Sequence, residues 1–298
     1  MDKTYGFVAD NVGIRLDRFV SEHCSELSRT YAQRLIEDGN ITVNGQAVKS
    51  SLKLNIGDRV RIIIPPIPPS SLSPEAIPLQ IIYEDDDLLV IDKPSGLTVH
   101  PAPGHPDHTL VNAILSYFPH LSDISDSLRP GIVHRLDKDT SGVMLVAKNR
   151  IAQVNLAGQF KARSVIKVYQ VLVKGKLTPE RGIIEAAIGR DPANRKRMAI
   201  VTGGREARTD YHVLRYFDGY TLLEVDLKTG RTHQIRVHLT AIGYPVVGDP
   251  TYGVKSPHLS RQFLHACRLG FTLPSSGDYV EFTSELPDDL KQALASIK

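Results

Sequence analysis

The chain has no tryptophan, only two cysteines and only three methionines in 298 residues. Cys24 and Cys267 stand alone, outside any CxxC or metal-type spacing, which argues against a disulfide framework and for a reducing compartment. Both read as small buried hydrophobes. No apolar run approaches the roughly 18–20 residues that would cross a bilayer. The opening Met1-Asp2-Lys3-Thr4 has no apolar secretory stretch. The expectation is therefore a cytoplasmic protein with no membrane partner. A large charge excess is lacking too: net +3 does not announce a nucleic-acid partner, so the distribution of charge matters more than its sum. That distribution is uneven. Arg190, Arg195, Lys196, Arg197, Arg205, Arg208 and Arg215 face only Asp191, Glu206 and Asp210, a run that fits either a solvated loop or a phosphate-contacting surface.

What is present divides at Ile64-Pro65-Pro66-Ile67-Pro68-Pro69-Ser70-Ser71-Leu72-Ser73-Pro74. Paired prolines favour extended geometry and cannot continue a helix or a central strand. The expected organisation is a small domain over residues 1–64, a linker over 65–77 and a large domain over 78–298. In the small domain, Ile14, Leu16, Phe19 and Val20 start an amphipathic helix. Ser28 is placed to cap a second, Arg29 to Asp38, which Gly39 ends. Ile41 to Val48 reads as a hairpin around Asn44-Gly45, and Arg59 to Ile64 as a closing strand. Arg29 and Arg34 on the second helix suggest a partly basic surface.

Beyond the linker, Ile81–Asp92 reads as a hairpin with an acidic turn. Further strands are expected at 143–147, 165–174, 182–188, 207–215, 220–227, 265–273 and 279–283, with helices at 110–117, 150–162, 233–242 and 287–296. Strands outnumber helices without alternating regularly with them. The fold class is therefore α+β with mainly antiparallel pairing.

The densest chemistry lies in Gly131-Ile132-Val133-His134-Arg135-Leu136-Asp137-Lys138-Asp139-Thr140-Ser141-Gly142, just before the apolar run 143–147. A polar turn fixed by a buried strand is suited to holding one charged group rigidly, and Asp137 is the candidate. Two other segments stand out: Lys167-Val168-Tyr169 in a strand, and Lys228 to His238, where a strand ends at Gly230 and a helix begins. Arg231 sits at that junction.

HRLDKDTSG (134–142), with YEDDDLLVIDKPSGLTVHP (83–101), KVYQVLVKG (167–175) and TGRTHQIRVH (229–238), resembles the RluA family of ribosomal pseudouridine synthases, and especially its D-type members, which modify 23S ribosomal RNA. The N-terminal unit resembles the S4 RNA-binding domain, through Arg15-Leu16-Asp17, Ser28-Arg29, Leu35-Ile36, the stretch Gly39 to Gly45, and Gly57-Asp58. The resemblance implies an enzyme that turns uridine in RNA into pseudouridine, with no metal and no other cofactor, and RNA as its partner. It implies that Asp137 is the catalytic aspartate, that Arg231 pairs with it, and that Tyr169 carries the base. It also implies that Arg135 fills the space left by a flipped-out uridine. Ile235 and Val237 are expected on the apolar floor, and Lys93-Pro94-Ser95-Gly96 is expected to support the sheet rather than react. A carboxylate buried without a partner would tend to take up a proton, which gives the arginine its purpose.

Other readings are weaker. His100, His105, Asp107 and His108 are dense but lie in a proline-stiffened loop with no complementary ligand motif. Ser141 beside His134 and Asp139 lacks a nucleophile elbow. Asp139 and Thr140 are expected to brace the Asp137 loop, and residues 253–262 are a candidate for setting target choice. A non-catalytic RNA-binding factor on the same scaffold is the rival from another class.

Overall fold

The N-terminal sheet begins earlier than expected, with β1 (Lys3–Val8), a strand whose alternation is too weak to read. It pairs with β4 (Arg59–Ile64), which also pairs with β2 (Ile41–Val43) of the hairpin that β3 (Gln46–Ala47) completes. Asn44 and Gly45 both take positive φ, as a two-residue turn of this hand requires. The helices α1 (Leu16–His23) and α2 (Arg29–Glu37) pack Leu16, Phe19, Val20, Leu35 and Ile36 onto this sheet. Ser28 caps α2 by accepting from the Tyr31 N–H at 3.2 Å. The computed structural model describes residues 3–65, 72–102, 105–123, 130–256 and 259–297. Pro66, Pro68 and Pro69 of the expected linker, and Pro103 and Gly104 of the histidine loop, lie outside them. Residues 73–77 are bonded to the larger unit: Asn112 Nδ2 donates to the Ser73 carbonyl at 2.8 Å, and the Glu75 N–H to that of Asn112 at 3.0 Å.

The large unit is built on nine strands. β5 (Gln80–Glu84) and β6 (Leu88–Lys93) form the acidic-turn hairpin. After α3 (Leu110–Tyr117) and the long 131–142 segment come β7 (Ser141–Ala147), α4 (Arg150–Ala162) and β8 (Ile166–Lys174). β9 (Arg181–Glu185) is followed by a separate two-stranded hairpin, β10 (Ile188–Arg190) and β11 (Met198–Ile200). The single strand expected over 182–188 is thus two. β12 (Arg208–Phe217), β13 (Tyr220–Leu227), α5 (Gln234–Ala241), β14 (Leu264–Thr272), β15 (Tyr279–Thr283) and α6 (Asp288–Ala295) complete the chain. The sheet order is β5-β6-β7-β14-β8-β13-β12-β9, with β15 on β14. Its pairings are antiparallel except where His265 and Ala266 of β14 run parallel to Ser141 and Gly142.

Every residue of β7 is buried because both faces of the sheet are covered. Met144 and Val146 join Leu89, Ile91, Val171 and Val173 on one face. Val143, Leu145 and Ala147 join Leu88, Val90 and Leu156 on the other. At the head of β7, Gly142 has φ +117°, and a Cβ there would sit 2.2 Å from the Ala266 carbonyl oxygen, so only glycine lets the two strands close.

Candidate active site

The Asp137 turn is closed by the Thr140 N–H donating to the Asp137 carbonyl at 3.0 Å. Three side chains from two distant segments hold its outer edge. Lys93 Nζ donates to the Lys138 carbonyl at 3.1 Å, Arg261 Nη1 to the Asp139 carbonyl at 3.1 Å, and Gln262 Nε2 to Thr140 Oγ1 at 3.3 Å. Lys93 is wholly buried and also donates to the Pro94 and Leu97 carbonyls. Burial pushes its amine down to about 7, against the pull of Asp139 and Asp137. Arg261 is fixed in turn by a two-point grip on Asp289 in the first turn of α6, at 2.6 and 2.9 Å. The brace expected from Asp139 and Thr140 is therefore made through the Asp139 carbonyl and the Thr140 hydroxyl. Residues 261 and 262, expected to bear on target choice, hold this turn.

The second loop is organised by Gln234. Its Oε1 accepts from Thr229 Oγ1 at 2.7 Å and from the Arg231 N–H at 3.0 Å, while Nε2 donates to the Arg208 carbonyl at 2.9 Å and Thr209 Oγ1 at 3.0 Å. All four bonds are buried or partly so, which pins the start of α5 to β12. His233, just before the helix, turns the chain through a left-handed conformation, φ 57°.

Two residues after Gln234, Arg236 points into the protein. Its Nε and Nη2 grip Asp249 at 2.7 and 2.9 Å, and its Nη1 donates to Asp137 Oδ2 at 2.9 Å. Burial works against the charge of Arg236, but Asp249 and Asp137 hold its pKa above the ordinary guanidinium value. For Asp249, burial is outweighed by Arg236 and by the Thr251 and Tyr252 N–H groups, and its pKa falls below the usual carboxylate range.

These two loops wall a cleft of about 480 Å³. Arg135, Asp137, Tyr169, Arg231 and Ile235 all line it, together with Lys161, Arg163, Lys167 and Lys228. Among the described residues Asp137 is the one acid in the lining. Tyr169 is buried, and burial followed by the nearby Asp137 charge pushes its phenol above the ordinary value, so it stays protonated. Arg135 is exposed at the rim, and its Nη1 lies 3.4 Å from His100 Nε2. Arg135 and Asp137 both line the cleft, and Leu136 between them is buried against the core of the large unit.

Two expectations need correction. Asp137 is paired with Arg236, not Arg231. Arg231 precedes the Gln234 turn and spends its Nε on the Glu206 carbonyl at 3.0 Å, whereas Arg236 lies in the first turn of α5 on its buried side. Val237 leaves the floor because α5 is helical: residues two apart on a helix face different ways, and Val237 packs with Ile188 and Tyr252. Arg29 and Arg34 stand apart from the cleft on α2. Arg29 donates to the fully buried Asp17, and Arg34 lies 3.8 Å from Asp38. Three residues of the site escape sequence reasoning: Arg236, passed over for Arg231 within one motif; Asp249, whose setting between Gly248 and Pro250 reads only as a turn; and Arg261, which carries no motif. In the histidine loop, His105 lies by Lys138 and His108 by Glu75. Ser141 Oγ meets His265 Nδ1 at 3.0 Å, far from the hydrolase arrangement considered for it.

A basic cleft with one carboxylate among its described lining residues suits a polyanionic substrate. Comparison with known proteins specifies which. The family model described as RNA pseudouridylate synthase matches residues 87–241, and that of the S4 domain matches 14–60. The chain is 52% identical over 286 residues to an uncharacterized RNA pseudouridine synthase of Chloroflexus aurantiacus, covering 95% of this chain and 90% of that one. It is 45% identical to the ribosomal large subunit pseudouridine synthase D of Nitrosomonas europaea, over 98% of this chain and 87% of that one. The solved structure of human RNA pseudouridylate synthase domain containing 1 superposes with a TM-score of 0.58 at 32% identity, covering 72% of this chain and 85% of that one. The chain belongs to the RNA pseudouridylate synthase family. It is an RNA pseudouridine synthase with an N-terminal S4 domain.

Proposed function

We propose that this enzyme isomerises uridine in 23S ribosomal RNA, with Asp137 as the catalytic carboxylate. The observation that carries this reading is the placement of Asp137 against the buried Arg236, beside Tyr169, on the floor of a cationic cleft. The isomerisation breaks the bond from N1 to C1′, turns the uracil, and joins C5 to the same C1′. C5 loses a proton and N1 gains one. Atoms and oxidation state are unchanged, so the balance calls for no redox carrier, metal or nucleotide. Asp137 acts at the sugar as nucleophile or base. Arg236 keeps a fixed positive charge opposite it, and Asp249 keeps Arg236 in place. Tyr169 offers a ring face to the turning base, and Ile235 an apolar floor. Arg135 at the rim occupies the space of the extruded nucleotide, offsetting part of the few kcal/mol that unstacking costs. Arg231 contacts RNA at the cleft mouth, and Arg29 and Arg34 add grip from the S4 domain.

The 23S target is supported by the name of the Nitrosomonas europaea relative and by those of two further relatives named ribosomal large subunit pseudouridine synthase D, at 41% identity. A ribosomal RNA target also fits a cytoplasmic enzyme. The test is pseudouridine formation by purified protein on transcribed 23S ribosomal RNA, without metal or nucleotide. Wild type is expected to form product, and Asp137→Ala none while still binding RNA. Product from Asp137→Ala at the wild-type rate would overturn the catalytic assignment, and absence of product from wild type on this RNA would overturn the target.

A further inference from the structure

His233 lines the cleft beside Asp137, and no step of the isomerisation set out above uses it. Its backbone is left-handed, φ 57°, a conformation that residues other than glycine seldom adopt. That conformation is held on its helical side. The Val237 N–H donates to the His233 carbonyl at 2.9 Å, and the Gln234 side chain ties the next residue to β12. The imidazole is thus carried on a fixed stretch of chain.

Its two ring nitrogens face different partners. Nδ1 lies 2.9 Å from Tyr252 Oη, with the two rings edge-on and their centroids 5.5 Å apart. Nε2 lies 3.9 Å from Asp137 Oδ2. Tyr252 Oη already accepts from the Met198 N–H at 2.7 Å, and burial raises the phenol's pKa, so it keeps a proton to donate. His233 Nδ1 is placed to accept that proton. Burial lowers the pKa of the imidazole, so the ring is neutral at neutral pH. The charged groups acting on it, Asp137 and Asp249 against Arg236 and Arg135, divide evenly in sign. A neutral ring that accepts at Nδ1 carries its proton on Nε2, and that N–H faces Asp137. The guanidiniums of Arg197 and Arg236 lie 4.8 and 5.1 Å from the Tyr252 ring centroid, which ties the same ring to the arginine that grips Asp137.

Asp137 Oδ2 is therefore approached by Arg236 Nη1 at 2.9 Å and by His233 Nε2 at 3.9 Å, whereas among the described residues no hydrogen bond reaches Oδ1. One bond from Arg236 fixes the place of Oδ2 but lets the carboxylate plane turn about it. A second donor on the same oxygen removes that freedom. The gap at Nε2 is one that a small side-chain rotation closes, and catalytic hydrogen bonds often tighten only when the site fills. We infer that His233 is a positioning residue for Asp137: directed by Tyr252, its Nε2–H closes on Oδ2 when the nucleotide enters, so that Oδ1 is the oxygen turned to the sugar. This rests on the catalytic reading of Asp137 above. Arg236 supplies the charge, and His233 supplies the second point that sets the plane.

The test is a double-mutant cycle in the full-length protein, read as kcat and KM on transcribed 23S ribosomal RNA. His233→Asn tolerates the left-handed backbone but is too short to reach Oδ2, and is expected to lower kcat about tenfold with KM little changed. His233→Gln returns an N–H to within reach and should recover part of the loss. Tyr252→Phe frees the ring to take the other tautomer. It should lower kcat about threefold in the wild-type background and no further in His233→Asn, because the hydroxyl acts through the imidazole. An equal loss from Tyr252→Phe in both backgrounds would overturn the inference, by assigning the hydroxyl's effect to Met198 alone. A wild-type kcat in His233→Asn would overturn it as well. Nitrogen NMR of the histidine rings tests the wild-type protein directly: a proton on Nε2 of His233 is expected, and a proton on Nδ1 alone would overturn the inference without any variant. Failure of the catalytic reading shows up separately, as a wild-type rate in Asp137→Ala, whereas an inactive Asp137→Ala beside an unimpaired His233→Asn overturns the role of His233 alone.

Discussion

Arg236 stands between two aspartates and is oriented by the one that does not reach the cleft. Its fork on Asp249, at 2.7 and 2.9 Å, fixes the guanidinium plane and leaves Nη1 aimed at Asp137. A single point charge could not do both, since the geometry uses three nitrogens in one plane.

Arg236→Ala is expected to leave the buried Asp249 unpaired and to destabilise the protein by about 3–5 kcal/mol, with pseudouridine formation lost. Arg236→Lys reaches one aspartate at a time, so kcat should fall at least tenfold in a protein that still folds. Arg231→Ala should match wild type in urea unfolding. Urea midpoints and single-turnover rates of the three proteins check this. Equal destabilisation by Arg231→Ala and Arg236→Ala would contradict the pairing.

Tyr252 tests the backing of that arginine. Tyr252→Phe keeps the ring against both guanidiniums but loses the hydroxyl. Tyr252→Leu loses both, including cation–π contacts worth about 0.5–2 kcal/mol each. The Leu variant should lower kcat clearly more than the Phe variant, with the difference concentrated in kcat rather than KM. Equal kinetics for the two would remove the ring from the account.

Asp289 lies far along the chain from the Asp137 turn, yet it holds Arg261, which holds the Asp139 carbonyl. Asp289→Ala should cost about 1–3 kcal/mol of stability and lower kcat, because the turn carrying Asp137 loosens. Restored kcat in Asp289→Glu would separate loss of the brace from general damage to α6.

Acid should destabilise the fold through its buried histidines. Burial pushes His134 down to about 3, with a further push from Lys167, and burial also lowers His233, His238 and His265. The unfolded chain takes up these protons near pH 6.5, before the folded chain does. Stability is therefore full above about 6.5 and falls as pH drops toward 3, by at most about 1.4 kcal/mol per pH unit for each histidine. His134 accepts from the Leu145 N–H at 3.0 Å. His134→Gln can keep an acceptor there without titrating, so its unfolding midpoint should depend less on pH between 6.5 and 4. An unchanged pH dependence would count against His134 as a contributor.

Much of this molecule is legible in its sequence because local signals agree with tertiary ones. Helices 110–117 and 150–162 and strands 220–227 and 279–283 stand where caps, glycines and apolar periodicity put them. β1 escaped because its burial alternates only between exposed and half-buried, and its partner β4 is more than fifty residues away. β10 and β11 escaped because each is only three residues long, too short for an alternation to show. In the site, motif resemblance brought Asp137, Tyr169 and Arg135 to one cleft, but it singled out Arg231, five residues before the arginine that pairs with Asp137. The pairing depends on where the helix starts, which Gln234 sets through bonds to Arg208 and Thr209. Asp249 and Arg261 were invisible because a buried ion pair between distant segments leaves no local pattern.

α4 touches both halves of the molecule. At its first residue, Arg150 bonds the Glu26 carbonyl and lies 4.3 Å from the Tyr31 ring centroid, in the S4 domain. At its far end Phe160 and Lys161 line the cleft. Thirteen residues of helix span about 20 Å. This helix is a gauge block between the S4-domain surface at Tyr31 and the surface of the cleft. Lengthening or shortening the proline-rich connection would leave that interval unaltered so long as Arg150 keeps its seat, whereas adding one turn to α4 would put the two surfaces out of step.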